Sequence, residues 1–359
     1  MNKYLIIFSL IIMSVSFNSC DLFLSKGEID ADDPSIYFCG RVDKRNPKKI
    51  KFDWPGVYIK AKFEGTSVAV KLYDSSNTFN VFLDGKFFKV ITTKDSNRVY
   101  SIADSLADTI HTIKITKRTE ASFGQTEFNG FLLDKGCKLV KTNFKAKRSI
   151  EFIGDSFVAG FGNEGESPEC EFSAETENNY LGFGPVLARR FESDYAVVAV
   201  SGIGIIRNFG ERLFSENPMP TVYNRVCYND TLIHDDKNWK PDAVVIRIGK
   251  NDFWQRPYPS IWKFREAYLG FIKELRAKYP EAHIFSLCGP TRNDPSCFEI
   301  YTVVNSLIKL TKDSKLHFVK LDVKLKRPDD FGCQWHPNVT GHKIIADFLE
   351  PVIKEKLNW

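Results

Sequence analysis

Between residues 36 and 140 apolar side chains recur at every second position. Val68, Val70 and Leu72 alternate with Ala69, Lys71 and Tyr73, and Ile113 and Ile115 alternate with Lys114 and Thr116, the period of a strand with one face in a core. The stretch 81–88 carries Asp84-Gly85 at its centre, a pair suited to the positive-φ turn that matches strand twist, so a hairpin is predicted there. No part of this half has helical spacing, and an all-β sandwich follows. After the basic segment 141–148 the pattern changes to short apolar runs at 150–153, 196–200, 243–248, 284–287 and 318–321, suited to buried parallel strands. Between the third and fourth runs, Ile261, Phe264, Tyr268, Phe271, Ile272 and Leu275 fall at helical spacing and Pro280 ends it. Strands alternating with helices predict a parallel sheet covered on both faces, with its functional site at the carboxyl ends of the strands.

The N-terminus is a separate object. Lys3 precedes an apolar run over 4–17, and Asn18-Ser19 lead to Cys20. The run is shorter than the roughly 20 residues a spanning helix needs, so 1–19 reads as a signal peptide. The Asn-Ser-Cys ending resembles the lipobox of bacterial lipoproteins, which implies that Cys20 is lipidated and that the protein is exported and held at a membrane by lipid alone. Plain secretion is the alternative. Residues 20–35 are polar and acid-rich (Glu28, Asp30, Asp32, Asp33) and read as the tether, followed by the sandwich over 36–145 and the second domain over 146–359.

Composition narrows the partners. A chain of 359 residues with 43% hydrophobic and 26% charged residues is globular and long enough for two domains. Its formal charge of +5 is spread among interspersed acids, too thin for the basic stripe that a phosphate backbone requires, so nucleic acid is not an expected partner. Beyond Cys20 there are Cys39, Cys137, Cys170, Cys227, Cys288, Cys297 and Cys333, an odd set that leaves at least one free thiol or bridges two chains. Cys288 and Cys297 are close enough to pair across a loop. None has Cys-x-x-Cys spacing, so most are expected to be buried apolar thiols.

Candidate chemistry falls at the predicted strand ends. Gly154-Asp155-Ser156-Phe157 follows the first run and puts a serine on a tight strand-to-helix turn, its own N–H aimed at the same point as its hydroxyl. Ser201-Gly202-Ile203-Gly204 follows the second run, where Gly202 leaves its N–H open to close approach. Gly249-Lys250-Asn251-Asp252 follows the third with a side-chain amide, and Cys333-Gln334-Trp335-His336-Pro337 sets a histidine before the last amphipathic helix.

These four blocks, in this order, resemble those of the SGNH or GDSL-type hydrolases. Gly40-Arg41, Gly160-Phe161-Gly162-Asn163, Arg207-Asn208, Met219-Pro220 with Tyr223, Trp239-Lys240-Pro241-Asp242 and Trp335-His336-Pro337 are most similar to carbohydrate esterase family 2. The resemblance implies a jelly-roll sandwich joined to an SGNH three-layer domain, and a carbohydrate O-acetylesterase acting on acetylated plant polysaccharide of xylan or glucomannan type. It implies Ser156 as nucleophile, His336 as base and then acid, and the Ser156 and Gly202 N–H groups with Asn251 as the oxyanion hole. These donors are neutral protein groups, so no metal or cofactor is called for.

Two residues depart from the family pattern. Gln334 stands where full-triad members carry an acid, which implies a Ser-His dyad whose ring is oriented by the Gln334 amide oxygen or by a backbone carbonyl. Asp329 and Asp330 read as solvated loop acids. Lys250 stands where a small residue is usual and reads as exposed and inert, the alternative being a positive charge added near the cleft. Trp335 and, more weakly, Trp254 are candidate platforms for a sugar ring, with core packing as the rival reading; Asp155 is expected to shape the serine turn, and His234-Asp235-Asp236 to be a solvated turn rather than a ligand cluster. Two further readings stay open: a GDSL-type lipase or other acyl esterase, and a carbohydrate-binding protein with a weakened site.

Overall fold

The computed structural model describes residues 26–359 except 97, 235, 236, 238 and 291–293; the expected signal peptide and Cys20 lie outside the described residues. The N-terminal half is built from β1 (Lys26–Asp30), β2 (Tyr37–Cys39), β3 (Ile50–Phe52), β4 (Tyr58–Gly65), β5 (Val68–Tyr73), β6 (Thr78–Leu83), β7 (Lys86–Thr92), β8 (Val99–Ala103), β9 (Thr109–Lys117) and β10 (Thr126–Asp134). They form two five-stranded antiparallel sheets. One runs β1-β10-β5-β8 with β3 also on β10, and the other runs β2-β4-β9-β6-β7. Val68, Val70 and Leu72 of β5 and Ile113 and Ile115 of β9 are buried together between them. The predicted hairpin joins β6 to β7, with both Asp84 (φ 50°) and Gly85 (φ 79°) at positive φ.

The tether expectation needs correcting. Strand β1 pairs along its whole length with β10, so the sandwich begins at Lys26 rather than at residue 36. Three of the acids that suggested a linker stay at the surface and pair with lysines, Glu28 with Lys71 and both Asp30 and Asp32 with Lys48 Nζ at 2.6 and 3.0 Å, while Asp33 accepts the Ser35 N–H at 2.7 Å. An edge strand tolerates such polarity, because only one of its sides meets the sheet.

The C-terminal half follows the alternating pattern: β11 (Arg148–Gly154), α1 (Ser156–Ala159), α2 (Phe183–Arg190), β12 (Ser193–Ala199), α3 (Met219–Val222), β13 (Ala243–Arg247), α4 (Ile261–Lys278), β14 (His283–Cys288), α5 (Ser296–Thr311), β15 (Leu316–Lys320) and α6 (Val339–Leu357). The five strands are parallel, in the order β12-β11-β13-β14-β15. Neighbouring strand residues serve opposite faces. Phe152 and Val197 pack with Phe183, Leu187, Ile345 and Leu349 of α2 and α6, whereas Ile153 and Val198 pack with Phe264, Ile272 and Val304 of α4 and α5. The order turns back at β11, between β12 and β13, and the carboxyl ends of these three strands bound a crevice.

The two halves share one apolar cluster that continues from Phe52, Trp54 and Phe79 of the sandwich to Val200, Ile203 and Tyr223 of the parallel-sheet domain. Charged groups trapped at this seam are paired. Arg41 and Glu151, 1% and 0% exposed, meet at 2.9 Å, Tyr223 Oη donates to the same carboxylate at 2.7 Å, and Arg41 also donates to the Tyr223 carbonyl. Such a pair adds little over an apolar equivalent, but removing one member strands the other in a dry site. Glu151→Ala is therefore expected to destabilise the protein by about 3–5 kcal/mol, read from the urea midpoint; a loss below about 1 kcal/mol would show that the guanidinium finds water there.

Candidate active site

Ser156 opens α1 directly beyond the carboxyl end of β11. The chain reaches it through Gly154, where a Cβ would sit 2.2 Å from the Arg247 carbonyl oxygen, so no other residue lets β11 and β13 approach this closely. Asp155 accepts the Phe157 N–H at 3.1 Å and takes both ends of its carboxylate to Arg247 Nη1, at 2.8 and 2.6 Å. Both partners are buried. The guanidinium lies 3.9 Å from the Phe157 ring centre, which fixes the turn from below. Asp155 thus shapes the serine turn, and Arg247, which the sequence reading did not single out, is its counter-charge.

His336 Nε2 lies 2.8 Å from Ser156 Oγ. On the other side of the ring, Nδ1 lies 3.1 Å from the main-chain oxygen of Gln334. A carbonyl can only accept, so Nδ1 carries the proton and Nε2 is left free to take one from the serine. The Gln334 side chain points elsewhere, its Nε2 being 3.2 Å from Glu171 Oε2. Of the two orienting groups the sequence allowed, the backbone carbonyl holds the ring. Asp330 is buried rather than solvated and accepts the Lys326 N–H at 2.6 Å.

The carbonyl reaches the histidine because Gln334 (φ 51°) and Trp335 (φ 59°) both take the left-handed conformation, at a cost of about 1–2 kcal/mol each. Neighbouring contacts hold this turn. A Cys170–Cys333 disulfide ties it to the loop after α1, Cys333 N donates to Gly162 O at 3.0 Å and Gly332 N to His336 O at 2.8 Å. The Phe161 ring sits 4.3 Å from the imidazole and is itself stacked on Phe172. The second disulfide is the expected Cys288–Cys297; Cys39, Cys137 and Cys227 are free thiols. Cys170–Cys333 departs from the expectation that most of the cysteines are unpaired.

Gly202 (φ 79°) has open space where a Cβ would stand, apart from Phe209 at 3.4 Å, and among the described residues neither its N–H nor that of Ser156 has an acceptor within the protein. Asn251 Nδ2 donates to Ile203 O at 2.9 Å, which orients the amide at the edge of the same crevice and leaves its second N–H for a ligand. Two buried carboxylates hold the Gly202 loop. Asp252 accepts the N–H groups of Ile205, Ile206 and Arg207 at 2.9, 2.7 and 3.0 Å; burial pushes its pKa up to about 6 even against these donors. Glu120, from the sandwich, accepts the Ser201 N–H at 2.6 Å, and its own N–H donates to Glu177 at 2.8 Å.

Ser156, Gly202, Asn251 and His336 line one cavity of about 570 Å³, together with Trp254 and Phe209. Trp335 lines an adjoining cavity and is 42% exposed, so both tryptophans face open space rather than the core. Lys250 lines both cavities, which corrects the reading of it as exposed and inert: it follows the tip of β13, where side chains turn toward the crevice. Among the described residues no cluster of His, Cys, Asp and Glu is suited to a metal ion. An activated serine facing preorganised neutral donors is the arrangement that acyl transfer requires.

Comparison with known proteins identifies similar families and structures. Residues 38–142 match the carbohydrate esterase 2 N-terminal family, and residues 152–344 the GDSL-like lipase/acylhydrolase family. The chain is 33% identical over 340 residues to the cellulase/esterase CelE of Acetivibrio thermocellus, covering 92% of this chain but only 40% of that protein's length. It is 32% identical over 321 residues to an acetylxylan esterase / glucomannan deacetylase of Cellvibrio japonicus, covering 86% of this chain and 87% of the relative. The solved structure of a family two carbohydrate esterase from Clostridium thermocellum in complex with cellohexaose superposes with a TM-score of 0.84 at 32% identity, covering 90% of this chain and 99% of that one.

Two outcomes follow from the histidine's surroundings. Burial, followed by Lys250 and Arg247, depresses the imidazole from 6.5 to about 4, against the opposing pull of Asp155 and the Gln334 carbonyl. A lowered pKa keeps the base neutral in mild acid, so the acidic limb of kcat/KM for a nitrophenyl ester is expected near pH 4; a limb at or above pH 6.5 would contradict a desolvated ring. Gln334→Ala leaves the carbonyl in place and removes only an exposed side-chain contact, so kcat is expected within about threefold of wild type. A loss as deep as that of His336→Ala in a folded protein would show that the amide side chain has a part in turnover.

Proposed function

The chain belongs to carbohydrate esterase family 2 and is a carboxylic ester hydrolase, and from that premise we propose that it removes O-linked acetyl groups from plant polysaccharide of the xylan or glucomannan type. The observation that carries the reading is the 2.8 Å contact between Ser156 Oγ and a neutral His336, beside three donors that converge on one cavity. The substrate class is supported by the name of the Cellvibrio japonicus relative.

In this reading His336 Nε2 takes the Ser156 proton as Oγ attacks the acetyl carbonyl carbon. Negative charge moves to the carbonyl oxygen, where the N–H groups of Ser156 and Gly202 and the Asn251 amide stabilise it; one such donor is worth about 10²–10³ in kcat. The imidazolium formed meanwhile is held by the Gln334 carbonyl dipole, with the Asp155 carboxylate as the nearby negative charge. Collapse breaks the bond to the sugar oxygen, which leaves with the histidine's proton, and an acetyl-serine remains. Water then attacks that ester, His336 taking its proton, and acetate departs with Ser156 restored. We also propose, from the N-terminal sequence, that the enzyme works outside the cytoplasm on a lipid anchor at Cys20.

The test is a panel of acetylated xylan, acetylated glucomannan and nitrophenyl esters of increasing acyl length. Acetyl preference with rapid release from polysaccharide is expected, and Ser156→Ala should lower kcat by roughly 10⁴-fold or more while leaving the fold intact. Preference for long acyl chains would instead indicate a lipase, and absence of turnover a binding protein.

A further inference from the structure

We propose that the second cavity, on the far side of His336 from the oxyanion donors, is a subsite for a carboxylate-bearing sugar, so that the enzyme favours acetylated polysaccharide carrying uronic acid residues. The inference rests on the deacetylase reading and deepens it. The cavity measures about 680 Å³ and is walled by Lys250, Lys324, Arg327, Trp335 and His336, a size suited to a sugar unit. It shares Phe157, Lys250, Gln334 and His336 with the serine-bearing cavity, so a sugar held in it adjoins the one whose acetyl group lies at Ser156.

Its charge is one-sided. Three cationic side chains line it, and among the described residues no Asp or Glu does. The acids closest to the reaction centre are committed elsewhere: Asp155 to Arg247, Asp294 to the Ser296 N–H and hydroxyl, Glu171 to the Gln334 amide. Arg327 lies 4.6 Å from the Trp335 ring centre and 5.6 Å from that of Phe331. A guanidinium presents its N–H fork best to a planar, bidentate acceptor, which a carboxylate is and a sugar hydroxyl is not. Lys250 is half-buried, and its pKa is lowered first by burial, then by Arg247 and least by Arg327, against the opposing pull of Asp155 and Asp294; Lys324 and Arg327, which line only this cavity, gain from an anion between them. The exposed Trp335 face offers the apolar side of the sugar its contact.

The experiment compares kcat/KM for one acetylated, uronate-bearing xylo-oligosaccharide and for the same compound with its carboxylate methyl-esterified, which keeps the shape and removes the charge. Wild type is expected to favour the charged form by about tenfold, the size of one charge-assisted hydrogen bond, and raised salt should shrink the preference. Lys324→Gln with Arg327→Gln should abolish the preference, read as the ratio of kcat/KM for the charged and esterified forms measured in the same variant. Equal rates in wild type, or a preference that survives in the double variant, would overturn the subsite. If no acetylated sugar is turned over, the deacetylase reading fails by itself. The subsite is then decided by calorimetric binding of the deacetylated uronate oligosaccharide to the wild-type chain, where loss of binding in the double variant supports it and unchanged or absent wild-type binding refutes it.

Discussion

A main-chain carbonyl does here the orienting work that a carboxylate does in a full serine triad, and the surrounding loop is organised by that constraint. Orientation by a peptide oxygen demands that the backbone itself be placed within tenths of an ångström, whereas a side-chain acid has rotatable bonds to adjust. The consecutive left-handed residues Gln334 and Trp335, the Cys170–Cys333 bridge and the paired hydrogen bonds across Gly162 and Gly332 restrain that placement. The same turn throws the Trp335 ring outward, so the conformation that aims the carbonyl also builds a wall of the neighbouring cavity. A carbonyl dipole stabilises imidazolium less than a full charge would, and the depressed basicity of His336 agrees with an electrostatically lean, desolvated base.

The positions legible in the sequence are those whose role is local. Ser156, Gly202 and Asn251 each follow an apolar run that could only be a buried strand, and His336 directly precedes an amphipathic helix, so order along the chain already implied a shared rim. Asp84-Gly85 announced its hairpin because the turn chemistry lies within two residues. What was hidden depends on distant partners. Glu120 meets Ser201 across 81 positions and Cys170 meets Cys333 across 163, contacts that leave no period or motif. Lys250 misled because polarity was read as exposure, whereas a lysine at a strand tip turns into the crevice; the exposed acids of β1 misled because polarity was read as absence of a strand, whereas an edge strand can be polar along its length.

Charge around Ser156 is unevenly placed. The buried Asp155–Arg247 pair beneath the serine turn, with the Phe157 ring over the guanidinium, stiffens the turn, and its two charges pull the His336 imidazole in opposite directions. Lys250 lines both cavities, and Lys324 and Arg327 line only the second. The serine-bearing cavity thus holds acids and bases together, whereas the cavity walled by Lys324 and Arg327 has no carboxylate among its described lining residues.

Glu120 belongs to the sandwich, yet its carboxylate holds the backbone of the loop that carries Gly202. It is itself held by Ser122 Oγ at 2.6 Å, by the Glu177 carboxylate on its N–H, and by Lys117, whose ammonium donates to its carbonyl at 3.1 Å. The sandwich is thus not an appended module of the kind that can be lost, swapped or duplicated while the catalytic domain carries on. The two halves form one inheritance unit: a lineage that exchanged the sandwich for another domain would have to rebuild the support of the loop at the same time, and shuffling of whole enzymes of this design is expected to proceed at the ends of the pair rather than at the junction between them.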